Sequence, residues 1–203
     1  MTKRRAFRPE SLGPLEARLA LSGAAATLHA PTAAVRALAA PGDRDTRTFE
    51  INFLTGMIPH HQMAIDMSRL ALRYATDPQV RDLARRIISE QRPEVARMQR
   101  HLAVDGVRGY TPGKAPNEAQ DLATLGSRRG VAFDRAFLAM MTDHHTMAIR
   151  GNDMGMVGAA EAQTRAAQPG IRALATGIVS TQTRELAEMQ GPLGRLGGPS
   201  SMG

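Results

Sequence analysis

Apolar residues recur at three- and four-residue intervals from Phe49 onward. Phe49, Phe53, Met57, the His60/His61 pair, Ala64 and Ser68 form one stripe, which predicts a helix from about residue 46 to about 75. A second stripe, Leu83, Ile87, Gln91, Glu94, Met98 and His101/Leu102, predicts a helix that opens with Pro78 in its first turn and Asp77 as its cap. Pro59 and Pro93 fall inside these patterns, where each removes a backbone donor and favours a kink.

The pattern then repeats. FEINFLTGMIPHHQMAI (Phe49–Ile65) aligns with FDRAFLAMMTDHHTMAI (Phe133–Ile149) with nine identities at a constant spacing, 133 − 49 = 84. The block Asp77–Gln99 aligns with Gln168–Gln190 at a spacing of 168 − 77 = 91. Here Pro78/Pro169, Leu83/Leu174, Ile87/Ile178, Gln91/Gln182, Glu94/Glu185 and Met98/Met189 correspond. The second copy thus holds 91 − 84 = 7 extra residues, within the Gly-rich run GNDMGMVGAA. Seven residues are about two helical turns, so the facing side survives if the insertion is helical; its glycines favour a break or bulge. Two hairpins, each too thin to bury its own stripe, predict an all-α four-helix bundle built from tandem repeats.

The segments divide accordingly. Residues 1–30 read as an export leader: a basic start with Lys3, Arg4, Arg5 and Arg8, then the small and apolar run LALSGAAATLHA. A linker is expected over 31–45, hairpin one over 46–104, and a Gly/Pro-rich linker over 105–129 with a short helix capped by Asn117. Hairpin two follows over 130–192 and a disordered tail over 193–203, its Gly/Pro/Ser character starting at Gly191. These features predict a periplasmic or extracellular protein, and no run approaches the roughly 18 apolar residues of a membrane span.

Composition narrows the chemistry. Aromatics are 3% against 42% hydrophobic residues, so the core rests on Leu, Ile, Ala and Met, a helical palette. The net charge of +7 comes without aromatics interleaved on a basic face, which argues against nucleic acid as partner. There is no cysteine, which excludes thiolate sites and disulfides. Methionine is abundant at 12 residues, many of them beside the His-His pairs.

Polar groups on inner stripes need partners or an ion. Adjacent histidines on a helix diverge by about 100°, whereas His60, Met63 and Met67 lie within about 60° of each other. The matching arc in the second copy is Met140, His144 and Met147, while His61 and His145 turn toward Met57 and Met141. One imidazole with two thioethers is a soft donor set that suits Cu(I), and Ag(I) by similar softness, with Zn a further candidate. Single His and Met residues on inner faces are usually core; duplication of the M-x-x-H-H-x-M pattern favours metal. Glu94 and Glu185 suit hydrogen bonding to histidine as well as ligation.

F-x-x-x-F-L-x-x-M-x-x-H-H-x-M-A followed by Q-x-x-E-x-x-x-M resembles the bacterial domain-of-unknown-function family 305, over about residues 46–104 and 119–193. The resemblance implies a ferritin-like fold and kinship with periplasmic copper-binding proteins. It implies copper ligation by Met57, His60, His61, Met63, Met67 and Met98, and by Met141, His144, His145, Met147 and Met189. The copies differ at Gly151, which stands where the first has Met67, so a second site would recruit Met140 or Met154 or bind more weakly. His101, where the family often has a large aromatic, is a candidate extra ligand. A binding protein rather than an enzyme is therefore expected. A di-iron oxidase needs Glu-x-x-His pairs, and Glu94 and Glu185 are followed at the third position by Arg97 and Glu188. A metal-free interaction module is the alternative. A homo-oligomer is compatible with the bundle, and the sequence names no delivery partner.

Overall fold

The computed structural model describes residues 41–115 and 117–197. The export leader, most of the expected first linker and the end of the tail lie outside the described residues. Within them the chain forms six α-helices and no strand: α1 (Pro41–Tyr74), α2 (Pro78–Val104), α3 (Glu118–Gly126), α4 (Gly130–Arg150), α5 (Ala159–Arg165) and α6 (Pro169–Arg195). The long helices α1, α2, α4 and α6 are the expected bundle. α1 packs on α2, α4 on α6, and α1 on α4, which joins the two hairpins.

Several boundaries differ from the sequence-based expectation. α1 begins at Pro41, inside the stretch read as linker, because proline suits a first turn and Asp43 favours a helix N-terminus. α6 continues through Gly191 and Pro192 to Arg195 rather than giving way to a tail. Pro192 and Leu193 are buried, and the Arg195 guanidinium donates to Asp77 Oδ2 at 3.0 Å, so tertiary contacts override weak local propensity. Asn117 precedes α3 with a left-handed φ of 59° and makes no side-chain cap. The Glu118 carboxylate instead accepts the Ala115 N–H at 2.9 Å. Asp77 does cap α2, accepting the Gln79 N–H at 2.7 Å.

Both internal prolines sit within continuous helices. Pro59 cannot donate to the Thr55 carbonyl one turn back. Tyr110, from the linker after α2, donates its hydroxyl to that oxygen at 2.9 Å.

Two buried acids lock the repeats together. Asp134 on α4 accepts the Thr76 and Asp77 N–H groups at 3.1 and 3.0 Å and the Thr76 hydroxyl at 2.6 Å, just ahead of α2. Its repeat counterpart, Glu50 on α1, accepts the Gln168 backbone and side-chain amides at 2.8 and 2.9 Å, just ahead of α6. Each hairpin's first helix therefore holds the N-terminus of the other hairpin's second helix, with the charge sign that a helix start favours.

The core lies in two apolar clusters. One joins Met63–Ala71 of α1, Ala75 just after it, Val80–Ile87 of α2, Phe133–Met141 of α4 and the end of α6. The other joins Phe49–Ile58 of α1, Met98 and Leu102 of α2, Ala148 of α4, α5 and Ile171–Ile178 of α6. Between them, on all four long helices, sits a buried polar layer: His60, His61, Gln91, Glu94, His144, His145, Gln182 and Glu185. A buried Leu, Ile, Phe or Met side chain contributes about 1.5–3 kcal/mol. An unpartnered buried polar group costs about 1–3 kcal/mol. The apolar clusters on either side can therefore carry a strained polar layer between them.

Candidate metal centre

The divergence of neighbouring helical positions decides the geometry. His61 turns toward α2, where Nε2 lies 3.0 Å from Glu94 Oε2, and His145 turns toward α6, with Nε2 2.8 Å from Glu185 Oε2. Both rings are fully buried. His60 and His144 turn the other way and meet across the α1–α4 interface, their rings stacked at 3.5 Å between centroids and 29° between planes. The four rings form a line capped at each end by a glutamate, with 6.4 Å from His60 to His61 and 6.2 Å from His144 to His145.

His60 and His144 also line a cleft of about 790 Å³, together with polar groups that include Asp121, Asp143 and Asn152. Its sulfur-bearing lining is Met63 and Met67 from α1, Met140 and Met147 from α4, and Met154 and Met156 from the loop after α4. The two arcs read from the sequence, expected as one site per repeat, thus line a single cleft. No ring nitrogen of His60 or His144 makes a hydrogen bond of normal geometry, although all four are buried; the His144 ring has only a weak approach to the His60 backbone. Because an imidazole lone pair lies in the ring plane, near-parallel stacked rings aim their free nitrogens along the cleft rather than at one shared point.

The other candidates lie elsewhere. Met57 and Met98 belong to one apolar cluster and Met141 and Met189 to the other, and none of the four lines the cleft. Met189 Sδ additionally accepts the Thr142 hydroxyl at 3.6 Å. His61 and His145 are occupied by glutamates, and their Nδ1 atoms remain unpartnered. His101, in the last turn of α2, packs on Gly170 and does not line the cleft. Glu94 and Glu185 are histidine partners. Among the described residues no group of three or more His, Asp or Glu side chains forms a metal-binding set. An ion held by a ring nitrogen of His60 or His144 would find thioethers as the most numerous further donors in the lining, beside oxygen groups such as Asp143.

The seven extra residues are not helical. α4 ends at Arg150, Gly151 takes a φ of 82°, and Gly151 bridges back to Val157. This hairpin carries Met154 and Met156 into the cleft lining. Met156 is the cleft methionine that the donor arcs read from the sequence left out; the flanking Gly151, Asn152 and Gly155, all turn formers, are the signal that points to it.

Electrostatics leave the cleft histidines neutral. Burial, then the charges of His61 and His145, push His60 from its ordinary 6.5 down to about 3. Burial first, then His60, His145 and His61, holds His144 well below 6.5. Neutral imidazole is the form that binds metal. Because the folded values lie below the unfolded one, the unfolded chain takes up protons first on acidification. Metal-free stability should hold above about pH 6.5 and fall steadily from there toward about pH 3. Urea midpoints at pH 7 and pH 4.5 check this; equal midpoints would contradict it.

Fold and site together define a helical bundle with an interior cleft of histidine and thioether groups. The chain belongs to the family described as Domain of unknown function (DUF305), whose profile matches residues 23–102 and 50–193. Among solved structures it is similar to CopM in its Cu(I)-bound form, with 31% identity and a TM-score of 0.63, over 73% of this chain and 98% of that one. A DUF305 fragment from Deinococcus radiodurans aligns with 28% identity and a TM-score of 0.60, over 77% and 98% of the two chains. A DUF305 protein from Streptomyces coelicolor, at 22% identity and a TM-score of 0.64 over 76% and 96%, shares the fold. An uncharacterized protein of Acanthamoeba polyphaga mimivirus is 46% identical over 46 residues, which span 23% of this chain and 30% of that protein. No helix of the described residues is long and apolar enough to cross a membrane.

Proposed function

We propose that this chain binds Cu(I), with Ag(I) as a close substitute, and acts as an exported copper-buffering or carrier protein rather than an enzyme. The observation that carries this reading is the pair of stacked, neutral, unpartnered imidazoles of His60 and His144 inside a methionine-lined cleft. Each neutral ring has one lone-pair nitrogen, so a metal ion can satisfy two of the four buried, unpartnered ring nitrogens. Six thioethers share the lining with oxygen groups that include Asp121, Asp143 and Asn152, and the thioethers are the donors that favour a soft monovalent ion. His60 or His144 would ligate, with Met63, Met67 and Met140 supplying sulfur. CopM, which shares the fold at 31% identity, is known in Cu(I)-, Cu(II)- and Ag-bound forms, and this supports the same class of cargo. Export rests on the basic start and small-residue run of residues 1–30.

Thermal melting of the full chain with Cu(I) under reducing conditions, Ag(I), Zn(II) or no metal tests the reading. A ligand of the folded state alone adds about 2.7 kcal/mol when its free concentration is 100 times its Kd. Cu(I) and Ag(I) are expected to raise the melting temperature by several degrees, and Zn(II) by less. Indifference to all three ions would instead favour a metal-free interaction module.

A further inference from the structure

Two positions that break the repeat are complementary. Met67 of the first copy corresponds to Gly151 in the second, and Met140 of the second corresponds to Gly56 in the first. Each copy therefore lacks one thioether that the other has. In the antiparallel α1–α4 pair, Met63, Met67 and Met140 collect on one side of the stacked histidines, against one apolar cluster. The other side of the cleft would be poor in sulfur, with Met147 alone, if α4 continued as a helix.

The insertion changes that. Gly151 is required there: a Cβ would lie 2.5 Å from the Met156 carbonyl oxygen, and its φ of 82° is a left-handed value. Asn152 then fixes the loop. Its Oδ1 accepts the N–H groups of Met154 and Met156, both at 3.0 Å, and its Nδ2 donates to Met147 Sδ at 3.4 Å. One side chain thus gathers three methionines. Met156 returns to α1 and occupies the space at Gly56, where a Cβ would stand 3.3 Å from its Cγ. Met154 lines the cleft while 73% exposed, at odds with its apolar character.

We propose that the loop spanning residues 151–158 builds a second soft-ion site, in which Met147, Met154 and Met156 bind Cu(I) or Ag(I) beside the His60–His144 pair. The inference rests on the copper reading above and adds a separate thioether-only site to it. Met147 and Met156 form its floor, and the exposed Met154 is the donor that meets an incoming ion first.

Ag(I) titration of the full chain carrying methyl-labelled methionine, followed by NMR, tests the proposal. The wild type should bind two equivalents, and the methyl signals of Met147, Met154 and Met156 should shift with one of them. Met154→Leu with Met156→Leu preserves apolar volume in a loop, and should bind one equivalent while His60 and His144 signals still respond. Two equivalents in that variant, or one in the wild type, would overturn the second site and leave the first standing. No Ag(I) binding by the wild type would overturn the copper reading and this inference with it.

Discussion

Replacing His60 and His144 together by leucine should lower Cu(I) affinity by at least about 100-fold, because even residues that only orient a metal ligand are worth about 10–100-fold. The same variant should melt, without metal, no lower than the wild type. Leucine keeps apolar volume at the α1–α4 contact and removes four buried ring nitrogens that have no partner. That combination distinguishes a ligand from a packing residue. Were the stacked pair structural, the substitutions would lower the metal-free melting temperature and leave the Cu(I) titration nearly unchanged. A competition titration against a Cu(I) chelator and a melting curve decide between these outcomes.

Much of this site is legible in the sequence because helices have a fixed angular step. Two adjacent histidines on a buried stripe cannot face the same way, so one of each pair had to leave the methionine arc. His60 with Met63 and Met67, and His144 with Met140 and Met147, do share one cleft. What periodicity cannot give is the relation between the arcs. Their meeting depends on the antiparallel packing of α1 on α4, a tertiary fact, and it turns two expected sites into one shared cleft. The roles of Met57, Met98, Met141 and Met189 were illegible for a related reason. A methionine motif is the same string of letters whether its sulfur faces a cleft or a core, and these four lie in apolar clusters outside the cleft lining. Glu50 and Asp134 were invisible because a single acid near a helix start carries no periodic signal. The insertion was visible as seven residues and a break, but Gly151 alone could not show that its turn sends Met156 back onto Gly56.

The largest stability effect is expected at Glu185, which is 1% exposed and hydrogen-bonded to a fully buried His145. Glu185→Ala strands the buried imidazole, and a buried polar group left without its partner costs about 1–3 kcal/mol. Asp82→Ala, which removes an exposed partner of Arg85, should cost less than about 1 kcal/mol. Replacing both His145 and Glu185 by leucine should recover much of the loss, since no polar group is then left alone. Urea midpoints at unchanged slope measure all three. Copper binding supplies the sharper discrimination. Glu185 supports a histidine that lies outside the cleft lining, so Glu185→Ala should leave Cu(I) affinity within about 10-fold of wild type while stability falls. If affinity instead drops by about 10–100-fold, the range for loss of a ligand's hydrogen-bond partner, His145 belongs among the ligands and the centre extends from the cleft into the buried layer.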